Sequence, residues 1–310
     1  MTNRYLERSK YYAKNLLGIN YLSERLARAF SGRTLHMVRQ EYTVMPRFGF
    51  HQPLDYYMDT PPVKFDNPIL VSGETLPLPP IPERMGYAAD NTEYLNWGRD
   101  DKNLIEAQIN KHLGPRENLN ILDFGCSSGR VLRHFHQNHL EKGWTLHGVD
   151  IQARPIQWMR EHFPKEFDIY TGTTIPHLPF PDNYFDVIYG FSIFTHIKYN
   201  WDMWLLELRR VLKPGGLLIQ TIHTEHAWTF YFDHREVDWV RNNHSHAMLQ
   251  TRDMPYDYFY YGDASVSQVF WKREVARSYW GRYLHVLDVL PPPDKRSFQD
   301  WMICLKPAKD

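Results

Sequence analysis

The densest run of chemistry-bearing residues is Ile121-Leu122-Asp123-Phe124-Gly125-Cys126-Ser127-Ser128-Gly129-Arg130. Apolar residues deliver the chain to a tight turn, and a helix is expected to start at once. Gly125 and Gly129 let the backbone turn and let a ligand approach closely. A helix N-terminus there exposes N–H groups suited to a pyrophosphate or a carboxylate. A purely structural turn reads the same way. Gly148-Val149-Asp150-Ile151 closes the next apolar run, with Asp150 twenty-one residues past Gly129. A carboxylate at that distance accepts both hydroxyls of a ribose; its alternative is a helix cap. Together the two features point to an adenosine-containing ligand, and a nicotinamide dinucleotide satisfies them equally.

The elements that must hold these residues alternate from about residue 96 to 223. Strands are expected at 120–124, 145–150, 167–171, 185–189 and 217–222. Helices are expected at 100–113, 128–140, 155–163 and 201–212. This βαβ rhythm calls for an α/β, Rossmann-like, mostly parallel sheet covered by helices on both faces. Two closing strands, 284–290 and 299–305, bring it to seven, after a helix at 269–279. Upstream, residues 1–45 have helical spacing of Leu6, Leu16, Leu17, Leu22, Leu26 and Phe30. Residues 46–90 are rich in proline and are expected to form an extended connector that wraps the core. The organisation expected is an N-terminal helical and Pro-rich arm, 1–95, and a core, 96–310. Within the core, 224–268 breaks the rhythm with histidines and aromatics and reads as an inserted substrate lid or a packed accessory layer.

Two further segments narrow the ligand. Leu178-Pro179-Phe180-Pro181-Asp182-Asn183-Tyr184-Phe185-Asp186-Val187-Ile188 precedes and enters the fourth strand, and Leu208-Arg209-Arg210-Val211-Leu212-Lys213-Pro214-Gly215-Gly216-Leu217-Leu218 turns into the fifth. With the run 121–130 they resemble, in order and spacing, the motifs of the class I S-adenosylmethionine (SAM)-dependent methyltransferase family. The resemblance covers about residues 100–223. Ser127 departs from it, standing where the family often has glycine.

The resemblance implies SAM as cofactor. Asp123, Gly125, Cys126, Ser127 and Gly129 would surround its methionine end. Asp150 would hold the ribose, and Ile151 would pack on the adenine. Thr173 and Thr174 would lie at the adenine edge, where the family often has an acidic residue. Gly190, Phe191 and Ser192 would border cofactor and acceptor, and Tyr94, Trp97, Gly98 and Arg99 precede the first core helix as a closing segment. Transfer from a sulfonium is an in-line displacement with a neutral leaving group, so alignment and exclusion of water are the main demands. A hydroxyl acceptor benefits from a base. His196, just past the fourth strand, is the first candidate, and His223, at the end of the fifth, the second. Each has a structural alternative as a capping or buried histidine. His223-Thr224-Glu225-His226 has metal-ligand spacing but no evident third ligand, so no metal is expected.

Lys+Arg and Asp+Glu each number 36 in 310 residues, which disfavours a dedicated nucleic-acid binder. Two distant cysteines, Cys126 and Cys304, form no disulfide framework and suit a reducing, cytoplasmic compartment. No apolar run of spanning length exists, so no membrane partner is expected. The acceptor expected is a small molecule or sugar, methylated on oxygen in a biosynthetic step. The stretch Trp280–Val289 with Gln299-Asp300 resembles methyltransferases of glycan and secondary-metabolite pathways. Methylation on nitrogen or carbon, an RNA or protein acceptor, and a non-catalytic SAM sensor are the competing readings. The N-terminal arm would suit a homodimer.

Overall fold

The computed structural model describes residues 65–246, 248–262, 267–292 and 298–308. The helical reading of 1–45 and the first part of the proline-rich connector lie outside these residues.

The described residues form nine strands: β1 (Asn120–Phe124), β2 (Thr145–Asp150), β3 (Phe167–Thr171), β4 (Phe185–Gly190), β5 (Leu212–Ile222), β6 (Tyr258–Tyr261), β7 (Gln268–Trp271), β8 (His285–Leu290) and β9 (Asp300–Leu305). The helices are α1 (Asn91–Leu113), α2 (His136–Lys142), α3 (Ala153–His162), α4 (Trp201–Val211), α5 (Glu225–Asp233), α6 (Asp238–Asn243) and α7 (Arg273–Trp280). Seven strands form one sheet in the order β3-β2-β1-β4-β5-β9-β8. Only β9 runs against its neighbours.

Side-chain alternation builds the two covering layers. Ile121, Val187, Leu217 and Ile303 face a core shared with Ile105 and Ile109 of α1 and Ile156 and Met159 of α3. Leu122, Ile188, Leu218 and Met302 face the opposite core, shared with Leu205 and Leu208 of α4 and Trp280 of α7. Strand order reverses between β1 and β4, which opens a crevice at their carboxyl ends.

The structure moves several expected boundaries. The first core helix begins at Asn91, not near residue 100, so a domain boundary at 95/96 would cut α1. Asp90 caps it by accepting from the Glu93 N–H at 2.9 Å, a start signal present in the sequence. No α-helix starts at Ser128: residues 127–131 form turns, followed by a 3₁₀ turn, Leu132–Phe135, and then α2. The run 269–279 is not one helix. Val269, Phe270 and Trp271 have strand-forming side chains and pair with Tyr258–Phe259–Tyr260 in a separate two-stranded sheet.

Residues 65–90 pack on the core rather than trailing from it. Ile69 and Leu78 form a bridge, and Leu78, Ala88, Tyr94 and Leu95 make a small core of their own. Residues 224–262 build α5, α6 and β6 around Trp228, Tyr231, Val240, Met248 and Phe270, all buried.

Candidate cofactor cleft

At the end of β1 the chain turns through Gly125, φ 88°, and Gly129, φ 79°. A β-carbon on Gly125 would collide with the Ile193 side chain, and one on Gly129 would meet the Met159 sulfur at 2.6 Å. Ser127, with φ 48°, sits in the left-handed region that a glycine occupies without strain. This is the physical reason for glycine in similar sequences.

The turn is tied to β2. The Gly125 and Cys126 N–H groups donate to the Val149 carbonyl at 2.7 and 3.1 Å, and Gly129 N–H donates to the Cys126 carbonyl at 2.8 Å. Ser127 N–H donates to Asp150 Oδ2 at 2.9 Å, and Gln152 N–H to Asp150 Oδ1 at 2.8 Å. Four N–H groups that the sequence assigns to a ligand are therefore committed inside the protein. Asp150 thus organises the turn and the entry to α3.

Above the turn lies a narrow cleft. Asp123, Gly125, Cys126 and Ser127, assigned to the methionine end, line it, as does Phe191, assigned to the acceptor border; Gly129, Gly190 and Ser192 are not among its lining residues. Arg84, Tyr87, Tyr94, Ser128 and Arg130 complete the wall. Arg84 and Tyr87 belong to the proline-rich connector, and no local signal marks them as site residues. The Arg130 guanidinium pairs with Asp101 at 2.6 Å and lies 4.4 Å from the Tyr87 ring centroid. Tyr94 and Ser128 share a hydroxyl hydrogen bond at 3.2 Å. Burial pushes the Asp123 carboxyl up to about 8, opposed by the nearby Tyr189 hydroxyl and Arg130.

These groups fit SAM chemically. The Ser127 hydroxyl is buried without a hydrogen-bond partner among the described residues. Asp123 offers an acceptor for an ammonium and Arg130 a cation for a carboxylate. Ile151, 40% exposed just past Asp150, offers an apolar surface for a base.

The remaining assigned residues separate. Thr173 is buried and exchanges hydrogen bonds with the Ile175 backbone at 3.1 and 3.2 Å, closing a turn, whereas Thr174 is exposed. Gly190 is not open to a ligand: a β-carbon there would meet Gln220 at 2.5 Å and the Phe124 carbonyl oxygen at 2.6 Å. Its lack of a side chain serves strand packing. Ser192 receives the Tyr87 hydroxyl at 3.2 Å and the Gln299 amide at 2.8 Å. Gln299 Oε1 also accepts from Thr221 at 2.6 Å. Gln299 thus clamps the loop after β4 to the end of β5, a role that only the closed sheet reveals.

The two histidines differ. His196 Nδ1 lies 2.5 Å from the Ser267 carbonyl oxygen. This contact makes Nδ1 the protonated nitrogen and leaves Nε2 as the basic one. Burial lowers its pKa, so it is neutral near pH 7. His223 is buried, stacked on Phe270 at 4.8 Å, with Tyr231 at 5.9 Å and Phe298 at 5.6 Å. Burial pushes its pKa well down. It does not line the cleft, and its surroundings are those of a packing residue rather than a base. No group of three metal-ligating side chains exists among the described residues.

Residues 122–220 match a family model described as a methyltransferase domain. They contain the glycine turn, Asp150 and the segments before the fourth and fifth strands. These residues are a class I SAM-dependent methyltransferase domain. The cofactor of such a domain is SAM. The chain is 32% identical over 136 residues to a demethylmenaquinone methyltransferase of Tropheryma whipplei, covering 44% of this chain and 54% of that one. It is 31% identical over 119 residues to a malonyl-[acyl-carrier protein] O-methyltransferase of Erwinia pyrifoliae, covering 37% and 41%. The chain thus spans about half the length of the curated relatives it matches. A SAM-dependent methyltransferase structure from Methanosarcina mazei aligns with 65% of this chain and 98% of that one, at 17% identity and a TM-score of 0.45.

Proposed function

We propose that the protein transfers a methyl group from SAM to the hydroxyl of a small molecule or sugar, with His196 as the base. The observation that carries this reading is the convergence of Asp123, Cys126, Ser127 and Phe191 on one cleft at the switch point of the sheet. Asp123 and Arg130 hold the amino-acid end, Asp150 the ribose, and Ile151 covers the base. When bound, SAM supplies an electrophilic methyl carbon whose leaving group is a neutral thioether.

His196 sits on the loop that follows β4, five residues past Phe191 of the cleft wall, and like His223 it is not itself one of the cleft's lining residues. Its Nε2 takes the proton of the acceptor hydroxyl as the oxygen attacks the methyl carbon. The Ser267 carbonyl holds the tautomer needed for that step. His223, packed among aromatic rings, supports the accessory layer instead. The described residues from 224 to 262 form a lid on the acceptor side, built on their own apolar core. Cys126 and Cys304 are buried free thiols, in keeping with a reducing cytoplasm. No helix among the described residues is long and apolar enough to cross a membrane.

Titration calorimetry with S-adenosylhomocysteine and NAD, followed by transfer from methyl-labelled SAM to a panel of hydroxyl acceptors, tests the reading. Saturable binding of the first ligand and label on oxygen are the results expected. Saturable NAD binding without S-adenosylhomocysteine binding would overturn it, and label on carbon or nitrogen would remove the hydroxyl.

A further inference from the structure

A second concavity lies far from the cofactor cleft. It is an open groove of roughly 570 Å³, lined by Arg209 of α4, Arg277 of α7, Arg282, Tyr283, His285 and Pro307 among others. The groove presents three arginines and a histidine with no aspartate or glutamate among its lining residues. The whole chain is neutral, with 36 basic and 36 acidic residues, so this concentration is local.

Arg277 and Arg282 are placed for binding rather than internal pairing. Among the described residues, Arg277 and Arg282 have no carboxylate within ion-pair distance. Both are exposed. The Arg282 guanidinium lies 4.1 Å from the Tyr279 ring centroid, which restricts its rotamers before any ligand arrives. Tyr283, Val286 and Pro307 supply a partly buried apolar floor. A guanidinium fork matches the oxygens of a phosphoryl group.

Strand register separates the groove from the methyl-transfer site. Ile121, Val187, Leu217, Leu305 and His285 are successive partners in one row across the sheet. Four steps between strands carry His285 roughly 19 Å sideways from β1. Gly125 lies beyond the opposite, carboxyl end of β1. A small acceptor reaching the cleft therefore cannot also fill the groove.

We propose that this groove binds a phosphorylated small molecule, a phosphate monoester or diphosphate, through Arg209, Arg277, Arg282 and His285. The site is independent of the methyl acceptor.

Calorimetry on the full chain at low ionic strength, with inorganic pyrophosphate as probe, tests the site. Saturable binding that weakens with added salt is expected. The Arg277→Ala/Arg282→Ala variant should bind pyrophosphate at least about ten-fold more weakly, with S-adenosylhomocysteine affinity unchanged as evidence of an intact fold. Arg277→Lys/Arg282→Lys should recover part of the loss. Absence of saturable pyrophosphate binding, or an unchanged affinity in the alanine variant, would overturn the proposal. Binding to vesicles containing phosphatidylserine without binding to pyrophosphate would overturn it too, replacing the small molecule with a lipid surface.

Discussion

Asp150 Oδ2 accepts a hydrogen bond from the Ser127 N–H at 2.9 Å, which joins the end of β2 to the middle of the glycine turn. The carboxylate assigned to a ribose is thus also part of the frame that shapes the methionine end.

Asp150→Ala should therefore act at both places. A hydrogen bond to a charged group contributes about 1.5–3 kcal/mol, so S-adenosylhomocysteine affinity should fall at least about ten-fold and stability should fall with it. Asp150→Asn keeps one acceptor oxygen and should lose less of each. Calorimetry and urea denaturation read the two effects; an alanine variant with full affinity would remove Asp150 from the ribose.

Gly125→Ala places a β-carbon against Ile193 at φ 88°. Strain and overpacking together should cost about 2–4 kcal/mol in denaturant unfolding. Adding Ile193→Ala should return only the packing share. Ser127→Gly should go the other way, raising stability by up to about 1 kcal/mol as the φ of 48° is relieved. No loss in the first variant would mean that the turn relaxes freely.

Stability of the ligand-free protein should depend on pH in two opposed ways. Burial holds His134 down to about 3, with Arg133 adding to it, and His244 down to about 4, and it lowers His196 and His223 as well. Their unfolded forms protonate near 6.5, so stability falls as pH drops from about 6.5 toward 4. Asp123 has the opposite sign. Its folded carboxyl is raised to about 8, so its contribution is full below about 3.8 and is lost as pH rises to about 8. Four histidines outweigh one aspartate on the acid side, and the aspartate acts alone among these groups above 6.5. Urea unfolding from pH 4.5 to 8.5 should show a maximum near 6.5–7. A monotonic rise through pH 8 would contradict the raised Asp123.

His196→Ala should leave S-adenosylhomocysteine affinity intact while lowering turnover on a hydroxyl acceptor about 10²–10⁴-fold, the range of a lost base. The acid limb of the wild-type rate profile should lie below pH 6.5, following the lowered pKa. The alanine variant should lose that limb, a change that loss of the Ser267 contact alone would not produce. Full turnover in His196→Ala would exclude it as the base.

The glycine turn, Asp150 and the order of strands and helices were legible in the sequence. Each is set by local chemistry: positive φ, apolar periodicity, a carboxylate at the end of a strand. The seven-stranded sheet followed from that rhythm. What the sequence could not decide is where side chains from distant segments meet. Arg84 and Tyr87 come from a proline-rich stretch without periodicity, yet packing places them in the cleft wall beside Arg130. Gln299 reaches Ser192 and Thr221 only because β9 inserts beside β5. Gly190 reads as a cofactor neighbour by position, and only the facing Gln220 side chain reveals a packing role. His196 and His223 are equivalent as residues after strands. Tertiary burial separates them, stacking one among aromatic rings and tying the other to a carbonyl that sets its tautomer. Local propensity is written in neighbouring residues; solvent exclusion and partner geometry exist only once the whole chain has closed around them.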